Sequence, residues 1–267
     1  MPQPLSVPPG TPIRLADFDP RHHEPDANKK AARDEIRENA REMADLAYAL
    51  YAENRRSLLL VLQGMDTAGK DGTIRTVMRG INPQSCRVTS FKRPSEEELD
   101  HDFLWRIHRA APRRGNIGIF NRSQYEDVLV VRVHSLVARD EWQSRYEKIN
   151  AMEKLLTDDG TTIVKCFLHI SKEAQRERLQ ARLDNPQKRW KFNRADLDER
   201  NLWDDYQSAY EDALTRCNTD HAPWSIIPSD RKWYRNLTVS RVLLAALREL
   251  DPRFPPCEEG LDGVVVE

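Results

Sequence analysis

"SLLLVLQGMDTAGKDGTIRTVMR", residues 57–79, decides the fold class. Ser57 to Gln63 form a short, continuous apolar run, which suits a strand buried on both faces of a parallel sheet. Ile74, Val77, Met78 and, just beyond the stretch, Ile81 recur at helical spacing, and Gly80 and Pro83 end that helix. Between strand and helix, residues 64–71 nearly fit G-x-x-x-x-G-K-[ST], the loop whose backbone N–H groups cradle phosphates. Gly64, Gly69 and Gly72 let the backbone turn toward an anion, the helix N-terminus adds partial positive charge, and Lys70 adds a full one. The alternative is a Gly-containing turn that merely joins strand to helix.

The loop departs from the pattern at two carboxylates. Asp71 stands where a Ser or Thr hydroxyl is expected, and Asp66 lies inside the loop. At about 4 Å, like charges repel by several kcal/mol at intermediate dielectric, so carboxylates beside a polyanion call for a cation. Magnesium fits, being held by one or two carboxylates plus substrate phosphates. Asp66 reads as a metal ligand or as a group orienting an attacking phosphate. Asp71 reads equally as a first-turn residue favoured by the helix dipole.

Working outward, strands and helices alternate. Ile36, Ala40, Met43, Ala47 and Leu50 mark a helix before the loop. "CRVTSF" (86–91), "NIGIFNR" (116–122), "TTIVKCFLHI" (161–170) and "APWSIIPS" (222–229) read as further strands. Ser95 with Glu98 forms a capping box ahead of a helix in "LDHDFLWRIH", and "LTVSRVLLAALREL" (237–250) closes the domain as a helix. The pattern predicts an α/β fold: a three-layer α/β/α sandwich around a five-stranded parallel sheet. Seven of the 16 prolines precede residue 26, so residues 1–27 read as an extended arm. The domain spans 28–250, and 251–267 form a tail. Residues 171–217 are too long and polar for a simple crossover and read as a mobile helical lid.

Composition excludes several classes. The 267-residue chain has 39% hydrophobic and 32% charged residues and a net charge of −1, so no bulk attraction to nucleic acid or membrane is expected. Four scattered cysteines show no zinc spacing. No signal-peptide core or long apolar run appears, and a cytoplasmic protein is expected.

Two further segments carry charge at the expected ligand edge. "IFNRSQYEDV" (119–128) ends the third strand, where open α/β sheets meet ligands, so Asn121, Arg122 and Asp127 are placed facing the loop. Arg122 can bind phosphate bidentately, and Asp127 or Glu126 can hold a second magnesium. The alternative is that Glu126 and Asp127 simply open a helix. "RERLQARLDNPQKRWKFNR" (176–194) sets seven cations against two acids, with Arg178 and Arg182 on one helix face. That density exceeds what a nucleotide triphosphate needs.

"GMDTAGKDGTIR", "VTSFKRPSEEELDHDFLWRIH", "IFNRSQYEDVLVVRVH", "ERLQARLDNPQKRWKF" and "APWSIIPSDRKWYRNL" together, in this order over about residues 30–250, resemble the polyphosphate kinase 2 family. The resemblance implies a P-loop kinase fold with a lid and Mg-dependent, reversible transfer of phosphate from inorganic polyphosphate to AMP or ADP. It places Asp66, Lys70, Arg122, Asp127, Arg178 and Arg182 in catalysis, with Asp66 and Asp127 on metal, two ions in all. Ala68, Gly69, Lys70, Asp71, Gly72 and Thr73 would bind phosphate, with polyphosphate along Lys188 and Lys191. Lys92, Arg93, Arg106, Asn121 and Glu126 would serve a purine nucleotide. A homodimer or homotetramer is implied. Relatives acting on nucleoside diphosphates read F-D-R-S where this chain has Phe120-Asn121-Arg122-Ser123; with Asn and "YEDV" it resembles the subgroup acting on both AMP and ADP. Two rivals remain: an ATP-dependent nucleoside monophosphate kinase of thymidylate kinase type, and a non-enzymatic P-loop or single-strand RNA-binding module. The lid's excess cations and Asp71 count against the first. The acids beside the loop count against the second.

Overall fold

The computed structural model describes residues 5–259, with Leu5 and Ser6 as backbone alone. Among these residues the strands are β1 (Leu5–Ser6), β2 (Ser57–Gln63), β3 (Cys86–Ser90), β4 (Ile117–Asn121), β5 (Thr161–His169) and β6 (Trp224–Pro228). The helices are α1 (Lys29–Glu53), α2 (Lys70–Val77), α3 (Glu96–Leu99), α4 (Trp105–Ala110), α5 (Glu126–Val133), α6 (Arg139–Asp158), α7 (Lys172–Asp184), α8 (Ala195–Asn201), α9 (Trp203–Arg216) and α10 (Lys232–Leu250).

The sheet order is β1-β6-β5-β2-β4-β3, and every pairing from β6 to β3 is parallel. This is the expected five-stranded parallel sheet. The arm adds a sixth, two-residue strand, antiparallel to β6. All seven residues of β2, the central strand, are buried. Helices α1, α2 and α10 pack together on one face and α5, α6 and α9 on the other, which makes the three layers. Among the described residues no helix is long and apolar enough to cross a membrane.

Three boundaries differ from the sequence reading. The helix expected in "LDHDFLWRIH" is two short ones: α3 ends at Leu99, and the Asp102 carboxylate captures the Leu104 N–H at 2.9 Å, holding a turn open before α4. The closing helix starts at Lys232 rather than Leu237. The lid expectation covers too much chain. Within 171–217, α9 buries Trp203, Tyr206, Ala209, Tyr210, Ala213 and Leu214 and is part of a core layer, whereas residues 185–201 have no buried side chain. The arm also lies against the domain: Phe18 O accepts from His169, and Pro20 O accepts from the Asp230 N–H at 3.0 Å. The tail's residues 260–267 fall outside the described residues.

Candidate active site

Parallel pairing brings the C-terminal ends of β2, β3, β4 and β5 to one edge, and each end delivers charged side chains there. The β2–α2 loop turns tightly enough to need its glycines. A Cβ on Gly64 would lie 2.7 Å from Leu168 O, and one on Gly69, whose φ is +108°, would lie 1.9 Å from the Arg235 guanidinium. Lys70 is buried, and its Nζ donates to Gly64 O at 2.6 Å. Desolvation, helped by Arg122, moves its pKa down, against the pull of Asp66, Glu126 and Asp71.

Arg122 leaves β4 in a left-handed conformation, φ +63°, which costs a non-glycine residue roughly 1–3 kcal/mol and persists only where its surroundings over-determine it. Its N–H donates to Leu62 O at 3.1 Å, and its guanidinium donates to Asp66 Oδ1 at 2.8 Å. Desolvation works against ionised Asp66, but Lys70, Arg122 and Arg182 outweigh it and hold the carboxyl below its usual range. Desolvation also pushes Glu126 above its usual range, although Arg122 and Lys70 pull it down. Asp66, Lys70, Arg122 and Glu126 thus form one mutually coupled ionic group. Asp66, Arg122 and Glu126 line a cavity of about 190 Å³ together with Glu199, Tyr206 and Tyr210. A separate groove of about 1280 Å³ lies between α10 and β5–β6, lined by none of the four residues of the ionic group.

Asp127 is the main correction. It is buried, and its carboxylate sits 3.2 Å from Arg106 and 3.5 Å from Arg145. Burial pushes its pKa up despite both arginines. The carboxylate that joins the loop is its neighbour, Glu126. Arg106 is corrected with it: this buried side chain serves Asp127 and the Lys92 carbonyl, at 2.9 Å, and supports the turn bearing the exposed Lys92 and Arg93. Asn121 Nδ2 donates to Asp71 Oδ1 at 2.8 Å, tying β4 to the first turn of α2. The buried Thr73 hydroxyl donates to Asn236 at 3.3 Å instead of facing the loop's mouth.

Arg178, which the resemblance places in catalysis, clamps the loop's backbone with its guanidinium. Nη1 donates to Thr67 O at 2.9 Å and Ala68 O at 3.1 Å, and Nη2 donates to Asp230 O at 2.9 Å. Arg182 pairs loosely with Asp196, at 3.9 Å, and adds positive potential at Asp66. Lys188 and Lys191 are exposed, and Lys191 lies 5.1 Å from the Trp190 ring.

Arg235 and Lys232 were missed. Arg235, 3% exposed, donates from Nη1 to Ala68 O at 2.9 Å beside Gly69 and Gly72. Desolvation, then Arg178, pushes its pKa down to about 9. Lys232 is lowered by desolvation, then by Arg178, Arg235 and Lys188. Among the described residues neither has an ion-pair partner. The signal was present in "SDRKWYRNL", but a helix begun at Leu237 leaves those cations in a loop.

The family model described as Polyphosphate kinase 2 (PPK2) matches residues 26–255. The chain is 50% identical over 256 residues to an AMP/ADP-polyphosphate phosphotransferase of Meiothermus ruber, covering 96% of each chain. It is 48% identical over 232 residues to an ADP-polyphosphate phosphotransferase of Rhodopseudomonas palustris, covering 82% of this chain and 80% of that one. The crystal structure of polyphosphate kinase 2 from Arthrobacter aurescens superposes with a TM-score of 0.92 at 43% identity, covering 97% of this chain and 92% of that chain.

Proposed function

The chain belongs to the polyphosphate kinase 2 family and is a polyphosphate-dependent nucleotide phosphotransferase; we propose that it moves the terminal phosphate of inorganic polyphosphate onto both AMP and ADP, with the coupled group Asp66, Lys70, Arg122 and Glu126 around the transferring phosphate. The observation that carries this reading is the division of charge about the loop. On one side acids and bases interleave. On the other, Arg235 and Lys232 lack carboxylates, and Arg235 is buried. An unpaired buried cation is costly, and a polyanion lying over Gly69 would supply its counter-charge. The donor chain would then run from the loop past Arg235 and Lys232 to Lys188 and Lys191, and the acceptor would enter beside Asn121, Lys92 and Arg93.

The transfer breaks the terminal bridging P–O bond of the donor and forms a new P–O bond to an acceptor phosphate oxygen. That oxygen is already ionised at neutral pH, so no general base is required. Lys70 and Arg122 offset charge on the moving phosphate, and Asp66 orients Arg122. The oxygen donors fit a magnesium ion. Asp66 and Glu126 share one cavity, and among the described residues no cluster of three or more His, Cys, Asp or Glu side chains forms an all-protein cage, so phosphate oxygens would complete the shell. When bound, the ion screens the repulsion between two phosphate chains.

The test incubates the protein with magnesium, AMP or ADP, and either polyphosphate or ATP as donor. ADP from AMP and ATP from ADP should form with polyphosphate. ADP formed from AMP only when ATP is the donor would favour the thymidylate-kinase type of reaction and overturn the reading.

A further inference from the structure

Gln124 and Tyr125 lie inside the segment that presents Arg122 and Glu126, yet both turn away from the phosphate loop. Gln124 Nε2 and the Tyr125 hydroxyl each donate to Oε1 of Glu153, on α6, at 2.8 Å. Oε2 of the same carboxylate accepts from Lys165 Nζ at 2.7 Å. Lys165 is a lone lysine in the apolar strand β5, and neither side chain of the pair has any exposed surface. Its other two N–H groups reach the Tyr125 hydroxyl at 2.8 Å and Cys217 O at 2.7 Å, so all three donors are used.

An ion pair this deep is not needed to fill the core, because apolar residues of similar volume do so as well or better. What distinguishes this pair is what it grips. Gln124 and Tyr125 follow the left-handed Arg122, whose conformation must be imposed from outside. On one flank the imposition is Arg122 N–H to Leu62 O, at 3.1 Å. On the other, Gln63 Nε2 donates to the buried Ser123 hydroxyl at 3.2 Å, and the next two residues end on Glu153. Cys217 caps the end of α9, which carries Tyr206 and Tyr210, two further residues lining the cavity. One buried pair therefore ties two of the segments that line the cavity to β5.

We propose that the Lys165–Glu153 pair is the positioning device of the transfer site, locking Gln124 and Tyr125 and through them the orientation of Arg122 and Glu126; the inference rests on the reading of Arg122 and Glu126 as the groups that act on phosphate. Lys165 and Glu153 touch no substrate and are positioning residues.

The double variant Lys165→Met with Glu153→Leu replaces the pair by apolar side chains. Tyr125→Phe removes one tether and leaves the pair intact. Thermal unfolding is measured for both, and kcat and KM for polyphosphate and for ADP are measured well below each unfolding temperature, with Arg122→Ala alongside. The double variant should unfold below the parent's temperature, because Gln124 Nε2, the Tyr125 hydroxyl and Cys217 O lose their buried partners. Its kcat should fall roughly ten- to a hundredfold, the scale on which small misplacement of reacting groups acts, with KM for polyphosphate nearly unchanged. Tyr125→Phe should show a smaller loss of the same kind. Parental kcat in folded variants, with Arg122→Ala impaired, would reduce the pair to a core feature and overturn the inference. Parental kcat in Arg122→Ala would overturn it by removing the site reading beneath it. If the double variant does not fold, Tyr125→Phe decides alone, and parental kcat there overturns the proposal.

Discussion

Asn121→Asp should shift acceptor choice from AMP toward ADP. The amide nitrogen of Asn121 is 2.8 Å from Asp71 Oδ1, so the substitution replaces a hydrogen bond by two facing carboxylates. Two unit charges at that distance repel by about 1.5 kcal/mol at the dielectric of water and about 6 kcal/mol at an effective dielectric of 20. Asp71 is exposed, which puts the effect near the lower figure and lets the two side chains swing apart. The lost hydrogen bond adds about 1 kcal/mol. The relaxed variant leaves an extra negative charge at the end of β4, on the path proposed for the acceptor. An AMP phosphate must approach that charge directly, whereas the outer phosphate of ADP reaches the donor from further away. A residual difference near 1.4 kcal/mol corresponds to about a tenfold fall in the ratio of kcat/KM for AMP to that for ADP. Like charges raise the pKa of one of the pair, so the AMP defect should narrow as pH falls toward that of a protonating carboxylate. The assay is initial rates with AMP and with ADP at saturating polyphosphate and fixed magnesium, from pH 8 to about pH 5, just above the usual carboxylate range. A ratio equal to the parent's across the range, or a parent that never accepts AMP, would falsify the assignment of Asn121 as discriminator.

Lys70→Ala should reduce turnover by orders of magnitude while circular dichroism and the unfolding temperature stay close to the parent's, since the role proposed for the amine is to offset charge that develops on the transferring phosphate; most activity surviving would remove Lys70 from the mechanism. Replacing Lys188 and Lys191 together by Ala should raise KM for polyphosphate severalfold more than KM for ADP, and should flatten the salt dependence of the former. Equal effects on both substrates would make this segment a general closure element. Glu126→Gln should trade activity for stability. Desolvation raises the folded-state pKa of Glu126 above its unfolded value, so ionised Glu126 destabilises the fold; that penalty is absent below the unfolded pKa and complete once pH exceeds the folded one. The variant should therefore melt higher than the parent at pH 7 and lose that advantage near pH 3, below the unfolded pKa, where the side chain is protonated in both states. An equal melting difference at both pH values would show that packing, not charge, is responsible.

How legible the site was depended on distance along the chain. The β2–loop–α2 unit is local, and its apolar run, glycines and helical spacing are contiguous, so strand, loop and Lys70 were readable. Parallel order followed from alternation. The choice between Glu126 and Asp127 was not readable, because both stand in the first turn of α5 and only the roll of that helix decides which one meets the loop. Packing of Val128 and Leu129 in the core sets that roll, sending Asp127 to Arg106 and Arg145. The role of Arg178 was hidden for a different reason. A guanidinium serves a phosphate oxygen or a carbonyl oxygen equally well, and its carbonyl partners are 110 and 111 residues away. Arg235 meets Ala68 across 167 residues, a contact no periodicity reports. Lys165 did leave a trace, a single lysine in a strand otherwise reading as core.

The two carboxylates that break the loop's pattern have separate jobs, and the geometry shows why neither could replace the other. Asp66 lies inside the loop, within the reach of Lys70 and Arg122, and stays ionised against desolvation only because those cations surround it. Its charge belongs to the coupled group, and removing it would leave Arg122 free to swing in its left-handed frame. Asp71 lies one step outside, in the exposed first turn of α2, where the helix dipole favours an acid. There it holds Asn121 and so fixes the end of β4 relative to the loop. A Ser or Thr at this position has too short a side chain to span the same gap. The loop's departure from G-x-x-x-x-G-K-[ST] is therefore read together with the Asn at 121: each residue supplies what the other needs, a carboxylate acceptor for an amide donor, and a change at either position should be felt at the acceptor edge before it is felt at the donor.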